Sequence, residues 1–149
     1  MKNRITDQEL VELAFSMHQY AYCPYSGFPV GAALECVDGT IFTGCNVENA
    51  AYGSSICAER TALVKAVSAG QRAFVRLAVA GNSAEFCWPC GACRQMLFEF
   101  QPDLTILAAN RDHKFISATL GDLMPHGFGP NSLSQHQKDR ETHEKRRYF

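Results

Sequence analysis

No stretch of this chain approaches the run of roughly 18 apolar residues that a membrane-spanning helix needs, so a span is not expected. The segment Met1-Lys2-Asn3-Arg4 leads into polar, amphipathic sequence with no apolar run behind it. That does not read as a secretory signal, and the expected location is the reducing cytoplasm. An excess of either charge is missing too: 14 Lys and Arg stand against 15 Asp and Glu, a net charge of −1. Without a positive field, neither nucleic acid nor a membrane surface is an expected partner. No internal repeat is visible, so the chain reads as one unit. Charged residues make up only 19% and hydrophobic ones 46% of 149 residues, which is enough apolar material to bury the core of a single domain.

The seven cysteines are an odd number. A full set of bridges would leave one sulfur over. In a reducing compartment, clustered cysteines point to metal binding or catalysis instead.

Thr6-Asp7-Gln8-Glu9 has the form of a capping box, and Leu10, Val11, Leu13, Ala14 and Met17 follow at helical spacing. A first helix is therefore expected from Asp7 to about Tyr20. Residues 30–36 and 40–45 read as two antiparallel strands around the Asp38-Gly39 turn. Residues 46–55 are small and polar, a loop. Residues 57–69 read as a second helix that stops at Gly70. Residues 75–80 read as a buried strand, residues 91–100 as a helix begun after Pro89, and residues 104–109 and 114–118 as two more strands. A short helix is expected at 120–124. This order implies an α/β fold, one mixed sheet covered by helices. After Phe128-Gly129-Pro130 the composition turns polar. Lys138, Arg140, Lys145, Arg146 and Arg147 are set against Asp139, Glu141 and Glu144. Residues 131–149 are thus expected to be a disordered or loosely docked tail beyond a domain of residues 1–130.

Two segments carry chemistry, Cys57-Ala58-Glu59-Arg60 and Pro89-Cys90-Gly91-Ala92-Cys93-Arg94-Gln95, each opening an expected helix. A C-x-E element followed by P-C-x-x-C is the signature of zinc-dependent nucleobase deaminases in its three-cysteine form. The spacing C-x-x-C lets one turn hold two sulfurs against one ion. Free N–H groups and the dipole at a helix N-terminus favour the thiolate, which is the form that binds metal. Cys57, Cys90 and Cys93 supply three ligands to one Zn²⁺ and leave a fourth position for water, the catalytic pattern rather than the structural one. Three thiolates around Zn²⁺ carry a net charge of −1, which calls for a cation nearby. Arg60 lies three residues after Cys57 on the same helical face and can bond a ligand sulfur; Arg94 is a weaker candidate. Glu59 stands beside a ligand without being needed as one. It can move protons from the attacking water to a substrate nitrogen and a leaving amine.

Other readings of the same residues stay open at this point. A C-x-x-C alone suits a redox pair or half of a structural zinc site. Cys87, Cys90 and Cys93 echo part of an iron–sulfur run, but without a fourth nearby cysteine and without a use for Glu59. Cys87 is read as an accidental neighbour of the ligands. Cys23, Cys36 and Cys45 are read as ordinary small buried residues.

Beyond the zinc motifs, several longer segments stand out. They are residues 22–34 (YCPYSGFPVGAAL), residues 44–50 (GCNVENA), residues 57–62 (CAERTA), Leu123-Met124-Pro125 and Phe128-Gly129-Pro130. On these and on residues 89–95 the sequence resembles the small, homotetrameric cytidine deaminases over about residues 10–131. The resemblance implies a three-layer α/β/α sandwich around a mixed five-stranded sheet. It also implies one zinc ion per chain and deamination of cytidine and 2′-deoxycytidine in pyrimidine salvage.

The resemblance further assigns Asn46 and Glu48 to the ribose hydroxyls, Phe28 to packing against the base, and Ala58 to backbone contacts with the pyrimidine edge. By the same resemblance, Tyr52 and Phe128 look like the residues that a neighbouring subunit would contribute to a shared site in a homotetramer. Departures are Cys87 and Trp88, where small polar residues are more usual, and the longer charged tail. The rival readings are a related deaminase acting on blasticidin S or on RNA, and a structural zinc module that binds partners.

Overall fold

The computed structural model describes residues 4–147 of the backbone and the side chains of residues 4–140; residues 1–3, 148 and 149 lie outside the described residues. Helix α1 (Asp7–Ser16) starts at the expected capping box. Thr6 Oγ1 accepts from Glu9 N at 3.1 Å, and Glu9 Oε2 accepts from Thr6 N at 2.6 Å. The helix tightens into a 3₁₀ turn at Met17–Tyr20. Strands β1 (Val30–Cys36) and β2 (Ile41–Cys45) form the expected hairpin, closed by Cys36 N to Thr40 O at 2.8 Å. There follow α2 (Ala58–Ser68), β3 (Phe74–Gly81), α3 (Gly91–Phe98), β4 (Thr105–Ala109), β5 (Phe115–Thr119), α4 (Leu120–Leu123) and α5 (Pro130–Arg147).

The sheet runs β2-β1-β3-β4-β5. Only β3 and β4 pair in parallel, Leu77 beside Ile106 and Val79 beside Ala108; the other three pairings are antiparallel. The parallel pair follows from α3, which carries the chain from the end of β3 back to the start of β4.

Strand alternation divides the core into two. Ala32, Leu34, Leu77, Val79 and Ile106 face Ala62, Leu63 and Ala66 of α2 and Leu97 of α3. Ala33, Ala78, Ala80, Leu107 and Ala109 face Leu10, Val11 and Ala14 of α1. The result is three layers: α1, the sheet, and α2 with α3. The fold matches the expected α/β/α sandwich with its mixed five-stranded sheet.

Two long-range features hold the layers in place. Gly44 on β2 lies flush against α2. A Cβ there would sit 2.4 Å from Ala58 O and 2.6 Å from Ala62 N. The missing side chain thus sets how closely the first turn of α2 approaches the sheet. At the other face, Glu35 is 1% exposed and pairs with Arg76 Nε at 2.5 Å. Arg76 also binds Asp7 and donates to Ile5 O at 2.9 Å, which ties the start of α1 to β1 and β3.

The polar tail, expected to be disordered or only loosely docked, enters the structure as the helix α5. Pro130 suits a first helical position. No proline or glycine follows it, and Gln135 bonds Asp139 one turn on at 3.2 Å. Its side chains from Asn131 to Arg140 are exposed; those of residues 141–147, with Glu141, Glu144, Lys145, Arg146 and Arg147, lie outside the described residues.

Candidate metal centre

The N-termini of α2 and α3 meet at one end of the sheet, because each helix precedes one of the two parallel strands. Cys57 is the N-cap of α2 and Cys90 the N-cap of α3. Neither sulfur is used to cap its own helix. Cys93 is the third residue of α3. The Cys57 and Cys90 sulfurs are 3.6 Å apart, those of Cys90 and Cys93 3.5 Å, and all three lie within 4.8 Å of one another. A tetrahedral zinc with Zn–S bonds of about 2.3 Å places its sulfurs roughly 3.8 Å apart. The donor set therefore fits a zinc ion with little rearrangement. The sulfurs are graded from the buried Cys93 through the half-buried Cys57 to the exposed Cys90, so the cluster opens toward solvent on one side. All seven cysteines are free.

Electrostatics favour a thiolate here. The Cys57 thiol is pulled down to about 5, first by hydrogen bonding with Cys93 and then by Arg60 and Cys90, against the cost of burial. Cys93 is pushed up in return, because it shares its proton with Cys57. Arg60 Nη2 donates to Cys57 Sγ at 3.6 Å and to Ser55 O at 3.4 Å. Its Nε is buried with no partner among the described residues. A half-buried guanidinium whose buried Nε is left one bond short beside three sulfurs suits a negatively charged metal–thiolate group. Arg94, the weaker candidate for this role, acts elsewhere. It donates to Pro89 O and Leu123 O, both at 2.7 Å, and so ties the approach to α3 to the end of α4. Two backbone carbonyls took the donors that the sequence left unassigned.

Glu59 is the second residue of α2 and is 4% exposed. Burial raises its carboxyl group to about 7, and the Cys57 thiolate adds to the rise, while hydrogen bonding with Cys93 opposes it. A group in that range can hold or release a proton near neutrality.

Glu59, Cys57 and Cys90 line a cavity of about 190 Å³ together with Val30, Asn46, Ala58, Cys87 and Trp88. Asn46 braces the cavity wall: its Oδ1 accepts from Val30 N at 2.9 Å and its Nδ2 donates to Phe28 O at 2.8 Å. Phe28 is partly buried beside this wall. Glu48 faces an adjacent cleft lined by Tyr25, Ser26, Tyr52 and Ser55. Its Oε1 accepts from Tyr25 N at 3.0 Å and Ser26 N at 3.1 Å. Tyr52 is 73% exposed, edge-on to Tyr25, and Phe128 is 58% exposed; neither lines the sulfur-bearing cavity of its own chain.

Cys87 and Trp88, expected only as departures at the rim beside the ligands and given no role, both line the cavity. Cys87 had been read as an accidental neighbour, yet it borders the same space as Glu59. The available signal was position: both immediately precede Pro89-Cys90, and a rigid Pro–ligand step holds its neighbours at the rim.

The profile of the cytidine and deoxycytidylate deaminase zinc-binding region matches residues 4–109. The chain is 44% identical over 128 residues to a cytidine deaminase of Sporosarcina psychrophila, covering 85% of this chain and 94% of that protein. It is 43% identical over 127 residues to a probable cytidine deaminase of Dictyostelium discoideum, covering 85% and 86%. Its fold is similar to the crystal structure of cytidine deaminase from Burkholderia pseudomallei, with a TM-score of 0.81 and 46% identity over 83% of this chain and 100% of that one. It is also similar to the cytidine deaminase of Mycobacterium tuberculosis, with a TM-score of 0.72 and 40% identity over 84% and 99%.

Proposed function

Because this chain belongs to the cytidine and deoxycytidylate deaminase family, we propose that it hydrolyses the C4 amino group of cytidine and 2′-deoxycytidine. The reaction consumes one water and gives uridine or 2′-deoxyuridine and ammonia, a step of pyrimidine salvage. The observation that carries this reading is a cluster of three sulfurs, two of which (Cys57 and Cys90) line the same cavity as one buried carboxyl group, Glu59.

Zinc held by Cys57, Cys90 and Cys93 would supply Lewis acidity and make water acidic enough to ionise near neutrality. Glu59 takes the proton lost by the attacking water. It then delivers protons to the pyrimidine ring nitrogen and to the departing amine. Its seclusion from bulk water keeps these transfers within the site. Arg60 holds the Cys57 sulfur and balances the charge of the thiolates. Ala58 offers main-chain groups to the base edge, Phe28 packs against the ring, and Asn46 and Glu48 receive the ribose hydroxyls.

Tyr52 and Phe128 act across a subunit boundary in a homotetramer. Two facts support this part of the reading: both side chains are largely exposed on their own chain, and the cavity is smaller than the roughly 300 Å³ at which small-molecule sites usually begin. The enzyme works in the cytoplasm. No helix among the described residues is long and apolar enough to cross a membrane.

The test is Glu59→Gln in the full chain, with zinc content, melting temperature and cytidine turnover measured together, and a chelator control on the unaltered protein. The variant should keep its zinc and its fold and lose about 10²–10⁴-fold in turnover. Full activity in that variant, or undiminished activity in zinc-free protein, would refute the mechanism.

A further inference from the structure

The cavity beside the sulfur cluster has lining residues that the reaction itself does not use. Besides Cys57, Cys90, Glu59, Asn46 and Ala58, it is lined by Val30, Cys87 and Trp88. Trp88 is the only tryptophan of the chain. It is partly buried, packed against the core cluster that includes Leu34, Leu97 and Val79, and it borders the cavity.

The wall is also held in place. A Cβ on Gly81, at the end of β3, would lie 2.7 Å from Cys87 Cβ, 2.9 Å from its Sγ and 3.3 Å from Phe28 Cζ. Cys87 and Phe28 therefore both lie against the backbone of that glycine. Cys87 N donates to Ala109 O at 3.2 Å. Earlier in the same segment, Ser83 O accepts from Arg111 N at 2.8 Å and Ala84 O from Asn110 Nδ2 at 3.2 Å. Bonds to the end of β4 and the turn after it thus fix the chain that leads into Trp88. A wall secured in this way cannot retreat cheaply before a larger ligand.

We infer that Trp88, seated by Cys87, is a specificity-determining residue that limits the size of the pyrimidine admitted beside Glu59. This rests on the deaminase reading above. Trp88 borders the same cavity as Glu59, so one added methyl group on the base competes with the indole for space. The ligand class is the free cytosine nucleoside without base substituents, and methylated bases are excluded by contact with this wall.

The experiment compares the zinc-loaded wild type with Trp88→Ser and Trp88→Phe. It measures kcat and KM for cytidine, 5-methylcytidine and N4-methylcytidine, and adds uridine titrations of the intrinsic fluorescence of the wild type. In Trp88→Ser, kcat/KM for the better methylated substrate should rise about 10-fold relative to cytidine, the low end of what one methyl group discriminates in an apolar pocket. Trp88→Phe should fall between that variant and the wild type. Uridine should shift or quench the emission of the wild type, a readout that needs no variant to fold. Ratios unchanged within about twofold in both variants, or emission indifferent to saturating uridine, would overturn the inference. If the wild type deaminates cytidine while the ratios stay flat, the wall fails and the deaminase reading stands. If the wild type leaves cytidine untouched, both fall.

Discussion

Gly44→Ala tests whether the contact between β2 and α2 sets the metal site. The added Cβ would lie 2.4 Å from Ala58 O and 2.6 Å from Ala62 N, against an ordinary contact of 3.4 Å or more. Both obstacles are backbone atoms, so no side-chain rotation relieves them. Helix α2 must retreat by about 1 Å, the difference between those distances. Overpacking of this kind costs about 1–3 kcal/mol. At about 2–4 °C per kcal/mol for a chain of this size, the melting temperature should fall by roughly 2–12 °C. The effect on function should be larger, because Cys57 and Glu59 flank the residue whose carbonyl is struck. Metal–ligand distances tolerate only about 0.2 Å, and a 1 Å misplacement of reacting groups can cost about 10²-fold in rate. The assays are thermal melting, zinc competition against a chromophoric chelator, and cytidine turnover at saturating zinc. Gly53→Ala is the control, since a Cβ there meets nothing within 4 Å. If Gly44→Ala matched that control in all three assays, the contact would not set the site.

Arg76→Met leaves Glu35, which is 1% exposed, with only the half-exposed Arg4 at 3.8 Å, and should cost up to about 3–5 kcal/mol in chemical denaturation. Glu35→Met combined with Arg76→Met should recover most of that loss, and a double variant as unstable as the single one would disprove the pairing argument. Asn46→Ala removes the partners of Val30 N and Phe28 O and should cost about 1–3 kcal/mol as well as raise KM, as melting and initial rates will show. Glu48 is held below the ordinary glutamate value, chiefly by hydrogen bonding with the Ser26 side chain and then the Ser26 N–H. A lowered folded value means that the carboxylate stabilises the fold above the unfolded value of about 4.3. That contribution disappears as pH falls through the lower folded value. The gap in melting temperature between wild type and Glu48→Gln should therefore be open at neutral pH and close below about pH 4; a gap that persisted in acid would contradict the assignment.

Short-range features could be read from the chain because their geometry is set within a turn or two. The capping box at Thr6 and Glu9 and the hairpin at Asp38-Gly39 both stand where residue spacing placed them. The tail could not be read in this way. Its charged composition offers nothing to bury, and only local propensity and pairs such as Gln135 with Asp139 favour the helical form of α5. Arg94 was misjudged for a different reason: its partners, Pro89 O and Leu123 O, depend on where α4 ends in space.

The chemistry of this protein was written in its sequence, since Cys57, Glu59, Cys90 and Cys93 carry their reactivity in their own side chains and C-x-x-C lies within one turn of helix. Tertiary structure alone decided that Cys57 comes within 3.6 Å of Cys90, 33 residues away, and that Glu59 loses its water. It alone put Trp88 and Cys87 on the cavity wall and Glu35 against Arg76. The reason is that such distances are set by strand order and by the contact of β2 with α2, which sum many weak packing terms from across the chain. No local pattern records that sum.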